Sequence, residues 1–293
     1  MVKAGRVRKL IVPETTEDYD HPIMRRILIM GGSGQTGSRL CKIFPDDQLM
    51  APPHSELDLS NETNLRDFLK GTPFHTILIP GGMTDPAQCE KDPHGAFAAN
   101  SRGPEIIAEE AQGAHVIYFS TDYVFNGKSG PYSPDAIPDP ISVYGKTKWE
   151  GEKRIQRGKW AIIRTCHIFS ADPGNNFFMY VTRNLLENRP VHAYQDQFST
   201  PTDVETLVEE TARIVKEEKE GIFHLSGKET CSRYEFAKEI SNLLGIKGVV
   251  PAFCPEEGRP KKVGLLSHLP SWREGVLKHV KQIKENGLPK ART

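Results

Sequence analysis

The chain has 293 residues, of which 37% are hydrophobic and 26% charged, a composition that fits an ordinary folded protein and excludes global disorder or a fibrous repeat. Lysine plus arginine and aspartate plus glutamate each total 38, so the formal net charge is zero. No long-range attraction to nucleic acid or to an anionic membrane is expected, although a local basic patch could still hold a phosphate. The cysteines (Cys41, Cys89, Cys166, Cys231 and Cys254) are dispersed, odd in number and without metal-ligand spacing. Free thiols in a reducing compartment explain them more simply than disulfides or a zinc site, and no bound metal is expected. No apolar run approaches a membrane span and the first twenty residues lack the apolar core of a secretory signal, so the expected location is cytoplasmic.

In chain order, residues 1–24 mix basic, acidic and proline residues without a period and read as an N-terminal extension, with a local strand or a partner-binding arm as the alternative. Ile27-Leu-Ile-Met30 then reads as a buried parallel strand that runs straight into glycines, with a helix continuing from Ser38 to Phe44. Further strands are expected at 48–51, 74–79, 114–120 and 160–164, and helices at 64–70, about 100–112 and 142–156. This alternation predicts an α/β fold, a Rossmann-like doubly wound parallel sheet over residues 25–170. After about residue 170 the rhythm changes: helices at 177–187, 204–216 and 234–244, short strands at 191–194 and 221–225, and an exposed loop at 255–262. Residues 171–293 read mainly as a smaller C-terminal substrate-binding domain, with segments returning to the main sheet.

The glycine-rich stretch is Gly31-Gly-Ser-Gly-Gln-Thr-Gly37. A glycine triplet alone is weak evidence, but here it closes an apolar strand and opens a helix, the context of a dinucleotide-binding turn. Gly32 can make the bend, Gly34 admits a phosphate and Gly37 permits close helix–strand packing, while a merely structural turn is the alternative. The whole turn (Gly31, Gly32, Ser33, Gly34, Gln35, Thr36, Gly37) is the candidate cofactor cradle, its exposed amides able to receive a pyrophosphate. No Asp or Glu occupies residues 49–53, where an acid would take a ribose hydroxyl; His54 and Ser55 follow instead. NADP(H) is therefore favoured over NAD(H), which stays open. Asp58, beside Leu59 in the ELDLS stretch, could accept from the adenine amino group or cap the next helix. Arg39 could lie near the phosphates or be exposed on the first helix.

Tyr144-Gly-Lys-Thr-Lys148 puts a phenol and an ammonium group one helical turn apart, so that both can enter one cleft. Lys148 can favour ionisation of Tyr144 and hold a nicotinamide ribose; Tyr144 can donate a proton to a carbonyl or remove one from an alcohol. Thr121, at the end of a predicted strand, could orient the substrate oxygen, with Ser120 as competitor if the register differs. Both hydroxyls could instead satisfy backbone groups at the strand end.

In their order, GGSGQTG at 31–37, ELDLS at 56–60, Asn100, STDYVF at 120–125, YGKTK at 144–148, RT at 164–165, GNNF at 174–177, DQFSTPT at 196–202 and the RP pair at 259–260 make the chain resemble the extended short-chain dehydrogenase/reductase superfamily. Within it, residues 24–275 are similar to the dTDP-4-dehydrorhamnose reductase (RmlD-like) branch. The resemblance implies Gly31, Gly34 and Gly37 around the pyrophosphate, Asp58 near the adenine, and Thr121, Tyr144 and Lys148 as the catalytic trio. It gives Asn100 a supporting place in the site, where helix capping is the plain alternative. The implied reaction is NAD(P)H-dependent reduction of the C4 carbonyl of a nucleotide-linked 4-keto-6-deoxysugar, and a homodimer is possible.

The match departs at Gly81-Gly82-Met83-Thr84, where relatives carry an Ala-Ala-Tyr-Thr-like loop; the glycines keep room for cofactor. It departs again at Cys166-His167, where the branch carries a tryptophan and a tyrosine nearby. His167 could contact substrate or simply pack. Candidate substrate-binding residues are Thr121, Asp122, Asn176, Gln197, Phe198 and Arg259, with Asn175 and Thr200 beside them. Asn176 could equally cap a loop, Phe198 could pack in a core rather than stack on a base, and Arg259 could lie in a plain surface loop. Two further readings stand: another nucleotide-sugar or small-carbonyl oxidoreductase of the superfamily, or a non-catalytic NADP-binding regulatory subunit. The run at 122–140 resembles the methionine adenosyltransferase beta subunit in support of the latter.

Overall fold

Strands of branched apolar residues buried on both faces build the centre of the molecule. The structure, a computed structural model, describes residues 26–111, 113–174, 176–255 and 258–289. The expected N-terminal extension and Asn175 lie outside them. Strands β1 (Ile27–Ile29), β2 (Leu49–Met50), β3 (Thr76–Ile79), β4 (His115–Thr121) and β5 (Trp160–Thr165) belong to one sheet. After β6 (Ile168–Phe169), β7 (Val191–Tyr194), β8 (Phe198–Ser199) and β9 (Thr202–Asp203), strand β10 (Gly221–His224) returns to close its edge. The order is β2-β1-β3-β4-β5-β10, with every pairing parallel.

Side chains alternate cleanly between the two faces. Leu28, Met30, Ile77, Ile79, Val116 and Tyr118 enter a core with Leu65, Leu69, Ile106 and Ile107. Their neighbours Ile27, Ile29, Leu78, Ile117 and Phe119 enter the opposite core with Leu40, Val204, Leu207 and Val208. One side is thus covered by helices α2 (Glu62–Leu69), α5 (Gly103–Glu110) and α6 (Val143–Arg154), the other by α1 (Gly37–Ile43) and α8 (Val204–Lys216). This period of two, apolar on both faces, is what a covered parallel sheet requires.

A third core lies beyond the sheet, where α7 (Phe177–Leu186), α9 (Arg233–Leu244) and α10 (Trp272–Asn286) bury Phe178, Phe236, Ile240, Trp272 and Val276 together. Three small ladders stitch this region: β6 with β9, β8 with β11 (Cys231–Ser232), and β7 with β12 (Val249–Ala252). The sequence reading omits α10, β12 and the short helices α3 (Pro86–Lys91) and α4 (Pro93–Phe97). The helix expected from Asn100 starts as a π-helical turn, Ala98–Arg102, before α5. Among the described residues no helix is long and apolar enough to cross a membrane.

Candidate active site

Strand β1 has β2 on one side and β3 on the other, so the chain diverges at its carboxyl end and leaves a crevice there. A cavity of about 580 Å³ occupies that crevice, walled by the loops after β1, β3, β4 and β5. Its floor is the glycine turn. The amide of Gly34 donates to Gly31 O at 3.1 Å, closing the bend. A methyl group on Gly37 would lie 2.1 Å from that same oxygen, and one on Gly31, whose φ is +91°, would lie 2.9 Å from Gly81 Cα. The two glycine loops therefore touch backbone to backbone, and only residues without a side chain allow it. Gly31, Ser33, Gly34, Gln35, Thr36 and Gly37 all face the cavity. Gly32 instead packs against Ala51 and Cys41.

Leu59 and Leu57 also line the cavity, but the Asp58 carboxylate between them turns to accept from Ser60 N at 2.8 Å and Ser60 Oγ at 2.9 Å. Asp58 thus closes a local turn at Ser60 and does not cap the next helix, whose N-cap is Asn61, and His54 stands 3.4 Å away at the cavity rim. Arg39 is neither exposed nor on the cavity wall: it is buried against Glu205 and Asp172, each at 2.6 Å.

Asn100 braces the second glycine loop rather than capping a helix. Its Oδ1 accepts from Met83 N at 2.9 Å, and its Nδ2 donates to Met83 O at 2.9 Å and Thr147 Oγ1 at 3.1 Å. The buried side chain thus ties the Gly81-Gly82-Met83 segment to α6, while Asn100 O accepts from Tyr118 OH at 2.6 Å. The π-helical turn carries this residue, a place where such turns recur at functional sites.

Helix α6 starts at Ser142, whose side chain accepts from Gly145 N, and sends Tyr144 and Lys148 into the cavity from one face. Tyr144 meets Tyr123 edge to face at 5.6 Å. Burial raises its phenol well above the ordinary value, while a hydrogen bond with Thr121 pulls the other way. Lys148 Nζ sits 4.0 Å from the centre of the Tyr118 ring, and burial pushes its ammonium group down to about 7, against the pull of Glu152.

Thr121 lines the cavity, but its hydroxyl is engaged, donating to Asp122 Oδ1 at 3.0 Å and accepting from Tyr123 N at 3.2 Å. Ser120 lines it too, and among the described residues its buried Oγ has no partner. Asp122 is buried behind Thr121, and its carboxyl is pushed up to about 7 by burial.

Facing this group is a wall from later in the chain. Asn176 lines it while its Oδ1 caps α7 by accepting from Met179 N at 3.1 Å. Arg233, His167 and Phe177 complete the wall. Gln197, Phe198 and Arg259 do not line the cavity. Gln197 O accepts from Arg233 N at 3.1 Å, and Phe198 is held in ladders to β11 and to Lys261–Val263, one layer behind. Arg233 was not foreseen as a site residue; its contacts join segments far apart in sequence.

The RmlD substrate binding domain family matches residues 24–283. The dTDP-4-dehydrorhamnose reductase of Aggregatibacter actinomycetemcomitans is 34% identical over 229 residues, covering 73% of this chain and 77% of that protein. The Danio rerio methionine adenosyltransferase 2 subunit beta is 27% identical over 249 residues, covering 78% and 77%. Among solved structures, the Bacillus anthracis dTDP-4-dehydrorhamnose reductase, in complex with NADP, superposes with a TM-score of 0.82 at 28% identity, over 89% of this chain and 99% of that one. By family match, identity and coverage together, the chain belongs to the RmlD substrate binding domain family.

Proposed function

We propose that the protein is an NADP(H)-preferring reductase, with NAD(H) also usable, that reduces the C4 carbonyl of a nucleotide-linked 4-keto-6-deoxysugar, as dTDP-4-dehydrorhamnose reductases do. The observation that carries this reading is the presence of Tyr144 and Lys148 on the wall of the same cavity whose floor is the glycine turn. The turn fits a dinucleotide: methyl groups at Gly31 and Gly37 would collide with backbone, and Gly34 faces open cavity. The backbone amides of residues 33–37 would hold the pyrophosphate and Lys148 the nicotinamide ribose. When bound, the nicotinamide supplies the hydride.

The chain's own groups do the rest. Burial keeps Tyr144 protonated near neutrality, the form that can give its proton to a carbonyl oxygen. The phenolate left behind is stabilised by the Lys148 cation one turn away. Thr121, or Ser120 with its unpartnered hydroxyl, orients the carbonyl oxygen. Asn100 acts through its hydrogen bonds, fixing the Gly81–Met83 loop against α6. Asn176 belongs to the proposed sugar-nucleotide half and Leu59 to the cofactor half, while Asp122, Gln197, Phe198 and Arg259 would serve the former, and Asp58 the latter, only from off the cavity wall. The division near residue 170, a homodimer and a cytoplasmic setting are part of the same proposal.

The test is oxidation of NADPH and NADH with freshly made dTDP-4-keto-6-deoxy-L-mannose. Substrate-dependent turnover, faster with NADPH, is expected. The match to a methionine adenosyltransferase subunit favours a second reading, a cofactor-binding regulatory subunit. NADPH binding without turnover, with stable capture of a methionine adenosyltransferase catalytic chain, would establish that one instead.

A further inference from the structure

Among the described residues the two fully buried arginines are tied to carboxylates. Arg39 holds Asp172 and Glu205 at 2.6 Å, and Arg164 holds Glu152 at 2.7 Å. Arg233, half-buried on the cavity wall, has no carboxylate within 4.0 Å among the described residues. Its guanidinium lies over the Phe177 ring, 4.9 Å from the centre, and its Nη1 meets His167 Nε2. An arginine only donates, so His167 Nε2 accepts, and the imidazole proton sits on Nδ1, facing Ser199 Oγ at 3.3 Å. Burial and the Arg233 charge hold His167 well below its ordinary pKa, consistent with that neutral ring.

His167 is further fixed by its surroundings. The ring lies between Phe177 at 5.4 Å and Phe236 at 5.0 Å. Its backbone is left-handed, with φ +47°, a conformation unfavourable for a histidine that persists only where the surroundings impose it. An oriented guanidinium with donors left over, a planar apolar floor and no carboxylate in contact is a receptor for an oxyanion. A structural role would leave a half-buried cation without a carboxylate in contact. Asp122 is the nearest candidate for compensating it, and burial raises its own pKa to about 7, so its charge is incomplete at neutrality.

We propose that Arg233, oriented by His167 and stacked on Phe177, is a specificity-determining residue that receives an oxyanion of the substrate at the cavity wall formed by the later part of the chain. The inference rests on the reading of this cavity as a reductase substrate site. A phosphoryl group of the nucleotide supplies the required chemistry in the proposed substrate; a sugar carboxylate shares it but would require a uronate in place of the 6-deoxysugar. They differ in which probe reports them.

The experiment compares the full chain with Arg233→Gln and Arg233→Lys, measuring Kd for NADPH, dTDP, thymidine and galacturonate, together with KM and kcat for the reduction. NADPH affinity, set by the glycine turn, serves as the folding control and is expected to be unchanged. Arg233→Gln is expected to weaken one anionic probe by about tenfold or more, with thymidine unaffected and KM raised more than kcat falls. Loss confined to dTDP assigns a phosphoryl group; loss confined to galacturonate assigns a carboxylate. Arg233→Lys, which keeps the charge but not the fork, is expected to lose about threefold and provides the comparison if the glutamine variant does not fold. Wild-type affinity for both anions in the folded variants overturns the inference while leaving the reductase reading intact. Failure of the wild-type protein to bind either anion overturns the inference, and absence of turnover besides overturns the reductase reading.

Discussion

Tyr144→Phe removes a single oxygen from a ring that keeps its edge-to-face contact with Tyr123, so the fold and the cofactor cradle are expected to survive. Without the proton donor, kcat should fall about 10²–10⁴-fold while NADPH affinity stays close to that of wild type. Steady-state kinetics beside a fluorescence titration of NADPH check both halves, and near-normal turnover would remove Tyr144 from the proton path. Lys148 carries a separate prediction. Burial places its pKa at about 7, so it is a cation below neutrality and loses its charge as pH rises above it. An anionic cofactor beside it favours the charged form, so binding should take up a proton, and Kd for NADPH should rise between pH 7 and pH 9. Calorimetry in two buffers of different ionisation enthalpy reads that uptake; Lys148→Met should abolish it. Tyr144, Lys148 and the glycines were legible because their relation is local: four residues on a helix, seven in a turn. Arg233 was not, since its meaning lies in the absence of a carboxylate contributed by other segments, which spacing cannot encode.

Helix α6 repeats the same logic over nine residues, because Tyr144, Lys148 and Glu152 follow one another at intervals of four on one face. The third member anchors the other two. Glu152 takes Arg164 Nε at 2.9 Å and Nη2 at 2.7 Å, both side chains only 2% exposed, and so clamps α6 onto β5. Glu152→Ala would leave the guanidinium buried and uncompensated, at an expected loss of about 3–5 kcal/mol in denaturant unfolding. It would also take away the carboxylate that raises the Lys148 pKa, so any residual NADPH binding should weaken at lower pH than in wild type. Opposite this clamp, the backbone of Gly151 lies against the π-helical turn; a methyl group there would stand 2.2 Å from Asn100 O. Most elements were readable from apolar period alone. The omitted α10 carried its own signal, with Trp272, Val276, Val280 and Ile283 on one stripe behind Ser271, and α3 and α4 carried theirs in Asp-Pro pairs at 85–86 and 92–93. The π-helical turn had none, since its i→i+5 bonding leaves no mark in a hydrophobic pattern.

At the scale of the whole molecule, folding buries histidines inside a sheet that must be apolar on both faces. His224, at the end of the returning strand β10, is 4% exposed and packs edge-on to Phe125 at 6.1 Å. Burial first, and the Arg164 charge second, bring its pKa from 6.5 down to about 4. The unfolded chain therefore binds a proton below pH 6.5 that the folded chain refuses until about pH 4, so this residue's contribution is complete above 6.5 and is lost as pH falls through that window. Between pH 7 and pH 5 the loss is about 2 kcal/mol, at about 1.4 kcal/mol per unit. The raw stability curve would conceal it. Asp122, raised from 3.8 to about 7, has the opposite sign: its contribution is full below 3.8 and is lost as pH rises toward 7. Only a difference separates the two. His224→Phe removes the titrating ring and retains an aromatic against Phe125, leaving Asp122 untouched. Urea unfolding of both proteins at pH 7 and pH 5 should show the variant gaining about 2 kcal/mol on wild type at the lower pH. A gap that stays constant between the two pH values would mean that His224 is charged in the folded sheet or neutral in both states, and that burial there does not resist the proton.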